Sequence, residues 1–163
     1  MDNLKKTDFN TKVLSAVSIM RTVFEPTPLQ KNEHLSKKYK ANIFLKREDL
    51  SPVRSYKLRG ALNSMQKRSD IKHFVCASAG NHAQGVAYMA SKLNVQATIF
   101  MPSTTPRQKI SKTKIFGGGN VEIRTVGDYF DECLYAATEF SQKEKAHFLS
   151  PFDDPDVIEG QGT

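Results

Sequence analysis

His73-Phe74-Val75-Cys76-Ala77-Ser78-Ala79-Gly80-Asn81-His82-Ala83-Gln84-Gly85-Val86-Ala87-Tyr88-Met89-Ala90-Ser91-Lys92-Leu93 reads as a strand, a loop and a helix in succession. The apolar run His73–Ala77 is short and strand-like, whereas Ala83, Val86, Ala87, Ala90 and Leu93 recur at helical spacing, predicting a helix over His82–Leu93. Between them, Ser78 and Asn81 are small polar residues suited to capping a helix. Gly80 permits a tight turn with amides pointing outward. Free N–H groups at a helix start form an anion site that would take a carboxylate or a phosphate. A plain capped loop with no ligand fits the same residues, and the spacing is not that of a dinucleotide loop.

The same alternation continues on both sides. Downstream come strand Ala97–Met101, helix Pro106–Phe116, strand Val121–Arg124, helix Asp128–Lys143 with Phe130, Cys133, Leu134 and Ala137 on one face, and a short strand His147–Leu149. Upstream come strand Ile43–Lys46 and helix Ser55–Arg68, whose inward stripe is Leu58, Ala61, Leu62 and Met65. Such alternation predicts an α/β fold, an open twisted parallel sheet flanked by helices, with right-handed crossovers. Ligands of these sheets bind at the carboxyl ends of strands, which selects the loops after Ala77, Met101 and Arg124. Gly117-Gly118-Gly119 ends a helix rather than opening one, so it is read as a C-cap and turn, not a phosphate loop.

Composition narrows the function classes. The 163 residues, 39% hydrophobic and 25% charged, suit a globular chain. Lys5, Lys6 and Lys12 before the apolar stretch Val13–Met20 loosely mimic a signal peptide, but Arg21, Phe24 and Glu25 follow where a cleavage site would lie. Val13, Ala16, Val17 and Met20 share a helical face instead, so an amphipathic helix and a cytoplasmic, membrane-free protein are expected. Cys76, Cys133 and the scattered histidines lack metal-ligand spacing, so reduced, mostly buried thiols and no metal are expected. The net charge of +7 raises nucleic acid as a partner. The densest basic stretch, Arg107, Lys109, Lys112 and Lys114, has no interleaved aromatics and reads as the wet face of a helix, so no nucleic-acid partner is expected.

A second motif is Ser51-Pro52-Val53-Arg54-Ser55-Tyr56-Lys57-Leu58-Arg59-Gly60-Ala61. Lys57 immediately precedes the inward stripe, in the first turn of its helix. The positive end of the helix dipole and partial burial both favour the neutral, nucleophilic amine. Judged on these residues alone, an ordinary lysine on a solvated helix turn is the commoner case.

Together the two motifs resemble the fold-type II pyridoxal-phosphate enzymes, and threonine deaminase (threonine dehydratase) in particular. Ser55–Ala61 is similar to that family's cofactor-lysine motif, with Tyr56 where phenylalanine is frequent. Ser78–Gly85 is similar to its substrate-carboxylate loop. Thr27-Pro28-Leu29-Gln30, Lys46-Arg47-Glu48-Asp49, Met101-Pro102, Pro151–Pro155 and Gly160-Gln161-Gly162-Thr163 agree, the first two resembling the biosynthetic branch.

The resemblance implies that Lys57 is the catalytic lysine holding pyridoxal 5'-phosphate. It implies that Asn81 hydrogen-bonds the cofactor's ring oxygen, and that Ser78, Ala79, Gly80, Asn81 and His82 grip an amino-acid carboxylate. His82 is not assigned as a base. The implied reaction is deamination of L-threonine to 2-oxobutanoate and ammonia, in isoleucine biosynthesis, by a homo-oligomer. Serine dehydratase, serine racemase and threonine synthase are the enzyme rivals, and a non-catalytic anion-binding domain is the rival of another class. The implied division is residues 1–55 as the start of a large domain, 56–150 as the small α/β domain, and 151–163 as the return. The family's phosphate loop and pyridine-nitrogen partner would lie downstream of Thr163, so the chain is expected to be an N-terminal fragment, inactive alone.

Overall fold

The computed structural model describes residues 2–163, with side chains from residue 8 onward. In chain order the elements are α1 (Asp2–Arg21), β1 (Leu29–Lys31), α2 (Glu33–Tyr39), β2 (Phe44–Lys46), α3 (Lys57–Lys67), β3 (His73–Ala77), α4 (Asn81–Leu93), β4 (Gln96–Met101), α5 (Arg107–Gly117), β5 (Val121–Thr125), α6 (Phe130–Lys143), β6 (His147–Phe148) and α7 (Pro155–Gln161).

Four strands form a parallel sheet in the order β5-β4-β3-β6. Phe74 and Cys76 of β3 face one core, shared with Leu58, Leu62, Val86 and Met89 of α3 and α4. The alternate residues Val75 and Ala77 face the other, against Phe100 and against Cys133 and Ala137 of α6. That two-residue alternation, with helices on both faces, is what a buried parallel strand requires. Fully buried Leu58, Leu62 and Met89 each contribute roughly 1.5–3 kcal/mol. The predicted stripe of α3 is wholly buried. In α4, Ala83, Val86, Ala87 and Ala90 are buried and Leu93 half-buried.

One predicted strand lies elsewhere. Phe44–Lys46 does not enter the parallel sheet but pairs antiparallel with β1, Leu29 opposite Lys46 and Lys31 opposite Phe44. Asn32 N–H donates to Ile43 O at 2.9 Å and Arg47 N–H to Pro28 O at 2.9 Å, so backbone partners of this segment come from the N-terminal residues. Both strands are exposed, unlike β3 and β4. A three-residue apolar run carries no signal of sheet type.

α1 packs on α3 and α7. Ala16 and Met20 of its predicted face are fully buried in the α3/α4 core, while Val13 and Val17 are half-buried. No helix among the described residues is long and apolar enough to cross a membrane. α7 was not anticipated. Its start is fixed by Asp154, whose carboxylate accepts from the Asp156 and Val157 amides, with Pro155 in the first turn.

Candidate active site

Lys57 is the first residue of α3, at the end of a loop closed on itself. Ser51 Oγ donates to Ser55 O at 3.0 Å and accepts from Ser55 N–H at 2.9 Å. Arg54 between them adopts the left-handed region, φ 56°. For an L-residue this costs roughly 1 kcal/mol, offset by the closed loop around it. Lys57 N–H donates to Ser55 Oγ at 3.3 Å. The side chain is half-buried; its Nζ donates to Pro151 O at 3.4 Å and lies 5.3 Å from the Tyr56 ring centroid. A bond that long is weak, so the amine is placed but not locked.

The Ser78–His82 loop leaves the end of β3. Ser78 N–H donates to Phe100 O at 3.0 Å, and Gly80 N–H to Ser78 Oγ at 3.2 Å. The N-cap of α4 is Gly80, which offers no capping side chain. The N–H groups of Asn81, His82 and Ala83 have no acceptor among the described residues. Ser78, Ala79 and Gly80 are half-buried and Asn81 is exposed. A Cβ added at Gly80 would meet nothing within 4 Å, so the turn opens onto free space. The predicted capping by Ser78 and Asn81 is not what holds this helix start; Ser78 instead folds back on the loop.

His82 is only 3% exposed, its Nε2 3.0 Å from Leu149 O. Burial pushes its pKa down to about 4; the Leu149 bond opposes that, and the nearby Lys57 charge adds to it. The neutral ring donates through Nε2–H, leaving a buried Nδ1 with no partner.

The fold brings the two motifs together. A Cβ at Gly85 would lie 3.0 Å from Leu58 N and 3.1 Å from Lys57 C, so α4 passes against the backbone of the lysine itself. The topology places them at one locus as well. From β3 the chain runs outward through β4 and β5, then returns to β6 on the opposite side of β3. The crevice of such a sheet opens at that reversal. There the β3 loop meets the Leu149–Asp154 exit of β6. The loops after β4 and β5 are tied to each other, Ser103 N–H donating to Gly127 O at 2.7 Å and Thr104 Oγ1 to Asp128 O at 3.2 Å.

A buried cation escaped the sequence reading. Arg59, 2% exposed, donates to both Glu48 oxygens at 2.8 and 3.0 Å, to Thr27 Oγ1 at 3.2 Å and to Thr163 Oγ1 at 2.9 Å. Burial raises the Glu48 pKa, but Arg59 and Thr27 outweigh it and hold the carboxyl below its usual range. Thr27, Glu48, Arg59 and Thr163 come from four separate segments. A charged residue inside the apolar stripe Leu58–Leu62 was the available signal for a buried pair.

Other expectations settle simply. Gly117 ends α5, and Gly118, at φ 54°, donates its N–H to Lys114 O, a helix C-cap leading into β5. Arg107, Lys109, Lys112 and Lys114 are all exposed. Cys76 and Cys133 are free and buried; burial raises both thiols, and Cys133 Sγ donates to Val126 O at 2.8 Å.

The family described as pyridoxal-phosphate dependent enzyme matches residues 20–163. The chain is 56% identical over 155 residues to the biosynthetic L-threonine dehydratase IlvA of Lactococcus lactis, covering 93% of this chain and 37% of that one. The processed form of threonine deaminase isoform 2 from Solanum lycopersicum superposes with a TM-score of 0.87 at 40% identity, covering 96% of this chain and 44% of that one. Maize serine racemase shares the fold, with a TM-score of 0.85 at 24% identity over 92% of this chain and 46% of its own. The chain thus spans about 37% of the length of the curated relative.

Proposed function

The chain belongs to the pyridoxal-phosphate dependent enzymes, and on that premise we propose that it supplies the catalytic lysine and the substrate loop of an enzyme that deaminates L-threonine to 2-oxobutanoate and ammonia. The observation that carries this reading is the meeting of Lys57 with an uncapped helix start across Gly85. The biosynthetic threonine dehydratase and threonine deaminase among the similar proteins favour threonine over the rivals.

The residues fit the aldehyde and ring end of pyridoxal phosphate. Lys57 offers a half-buried amine on a weak bond, able to turn from Pro151 O toward a carbonyl carbon. Asn81 is exposed as the first residue of α4, and its side chain would hydrogen-bond the ring oxygen. When bound, the cofactor supplies an electron sink for charge developing at the substrate α-carbon. In the Ser78–His82 loop, the unpaired Asn81 and His82 amides would bind the substrate carboxylate and fix the Cα–H bond for elimination. Lys57, once released from the cofactor, would take the α-proton at its Nζ. Ser78, Ala79, Gly80, Asn81 and His82 would act through backbone and small polar groups, and His82 is not assigned as a base.

We assign residues 1–55 to a large domain, 56–150 to the small α/β domain and 151–163 to the return segment. Cytoplasmic location and homo-oligomeric assembly belong to the same reading.

In the full-length protein, Lys57→Ala should abolish threonine-dependent 2-oxobutanoate release while leaving the far-ultraviolet circular dichroism unchanged. Full retention of activity by that variant would refute the assignment. Activity on serine without activity on threonine would move the reading to a serine dehydratase.

A further inference from the structure

His82 sits where a plain first-turn residue would face solvent, yet it is 3% exposed and its ring reaches Leu149 O at 3.0 Å. Leu149 is held from two sides. Its N–H donates to Val75 O at 2.7 Å, extending the β3–β6 pairing by one rung, and its carbonyl accepts from His82. Two residues on, Pro151 O is the acceptor on which the Lys57 amine rests at 3.4 Å. Beyond it, Ser150 Oγ accepts from the Phe152 and Asp153 amides at 3.3 Å, so the turn carrying Pro151 is internally tied. α4 therefore bears on Lys57 in two ways, one direct and one relayed. Gly85 sets the backbone of the lysine, and His82, through Leu149 and Pro151, sets the resting place of its amine.

We infer that His82 is a positioning residue for Lys57, holding the β6 exit by its Nε2–H so that the Pro151 carbonyl orients the lysine amine. The inference rests on the reading of Lys57 as the cofactor lysine. Geometry also dictates the tautomer. A carbonyl can only accept, so Nε2 carries the proton and Nδ1 is bare. An imidazolium there would place a second cation beside Lys57 at the positive end of α4. The charged groups acting on the ring are Lys57 from α3 and Asp154 at the start of α7. The His82–Leu149 hydrogen bond joins residues 67 apart in sequence and ties the substrate loop to the segment that carries Pro151.

Two measurements on the cofactor-free chain test this. Nitrogen-15 spectra of the imidazole should show the neutral Nε2–H tautomer at neutral pH; the Nδ1–H tautomer or an imidazolium would overturn the inference without any variant. Competitive acetylation with acetic anhydride, read by peptide mass mapping, then reports the amine reactivity of each lysine. His82→Ala should change the reactivity of Lys57 by about threefold to tenfold, the scale of one hydrogen bond, while Lys109 and Lys143 stay unchanged. His82→Gln, whose amide nitrogen reaches to about the Nε2 position, should restore the parent value. A folded His82→Ala chain with parent-like Lys57 reactivity, or a folded His82→Gln chain that fails to restore it, overturns the inference. Neither readout uses bound cofactor, so failure here leaves the cofactor assignment to be judged by the Lys57→Ala test.

Discussion

The starts of α4 and α7 flank the same short segment, Leu149–Asp154, and are built in opposite ways. α7 is capped: Asp154 accepts two amides, bonds Ser64 Oγ at 3.1 Å and lies near Arg68. α4 begins at Gly80 with no capping side chain and three amides unsatisfied. In the first turn of α4, His82 Nδ1 is also left without a partner. A helix that needs only to fold satisfies its first turn from its own sequence, as α7 does. On the function proposed above, α4 leaves it bare because its amides would bind a ligand.

The sharpest contrast between the two is with acid. The His82 pKa falls from 6.5 unfolded to about 4 folded because burial disfavours the charged ring. Its contribution is complete above the unfolded pKa and is lost as pH falls from 6.5 to 4, on the order of 3 kcal/mol in all. At α7, burial raises the Asp154 pKa, but the nearby His147 ring, the Val157 amide, Ser64 and Arg68 bring it down to about 2. That stability is present above 3.8 and is lost as pH falls through 2. Urea unfolding across pH should show two separate declines, and His82→Gln should flatten only the upper one.

Next in size, Asp154→Ala should cost about 2 kcal/mol at neutral pH, from the lost cap and the Ser64 bond, measured by urea unfolding. Gly85→Ala should cost roughly 1–2 kcal/mol, since its Cβ must displace backbone at Lys57 and Leu58, and should also shift the acetylation rate of Lys57. The smallest effect is the most discriminating. Gly80→Asp would give α4 the cap that α7 has, in open space, raising stability by only a few tenths of a kcal/mol. In the full-length protein it should nevertheless abolish threonine turnover. Retained turnover in that variant would break the contrast.

Much of this was legible in the sequence because it is local. The β3–loop–α4 unit and the buried stripe of α3 follow from periodicities of two and 3.6 residues. The free amides of α4 follow from Gly80 in the turn, although Ser78 and Asn81 suggested a cap that does not form. The start of α7 was readable too, in Asp154-Pro155, and was missed. What could not be read is carried by distant partners. Arg59 is buried because Glu48, Thr27 and Thr163 lie around it, and His82 because Leu149 does. β2 was misplaced because Phe44-Leu45-Lys46 holds too few residues to reveal a face.

We infer that this chain by itself presents Lys57 to a carbonyl beside an open loop. The purified chain would be mixed with pyridoxal phosphate, reduced with borohydride and mapped by peptide mass spectrometry. Lys57 should be modified in preference to exposed lysines such as Lys109, Lys112 and Lys114. Diffuse modification of those surface lysines, with Lys57 no more labelled than they are, would contradict it.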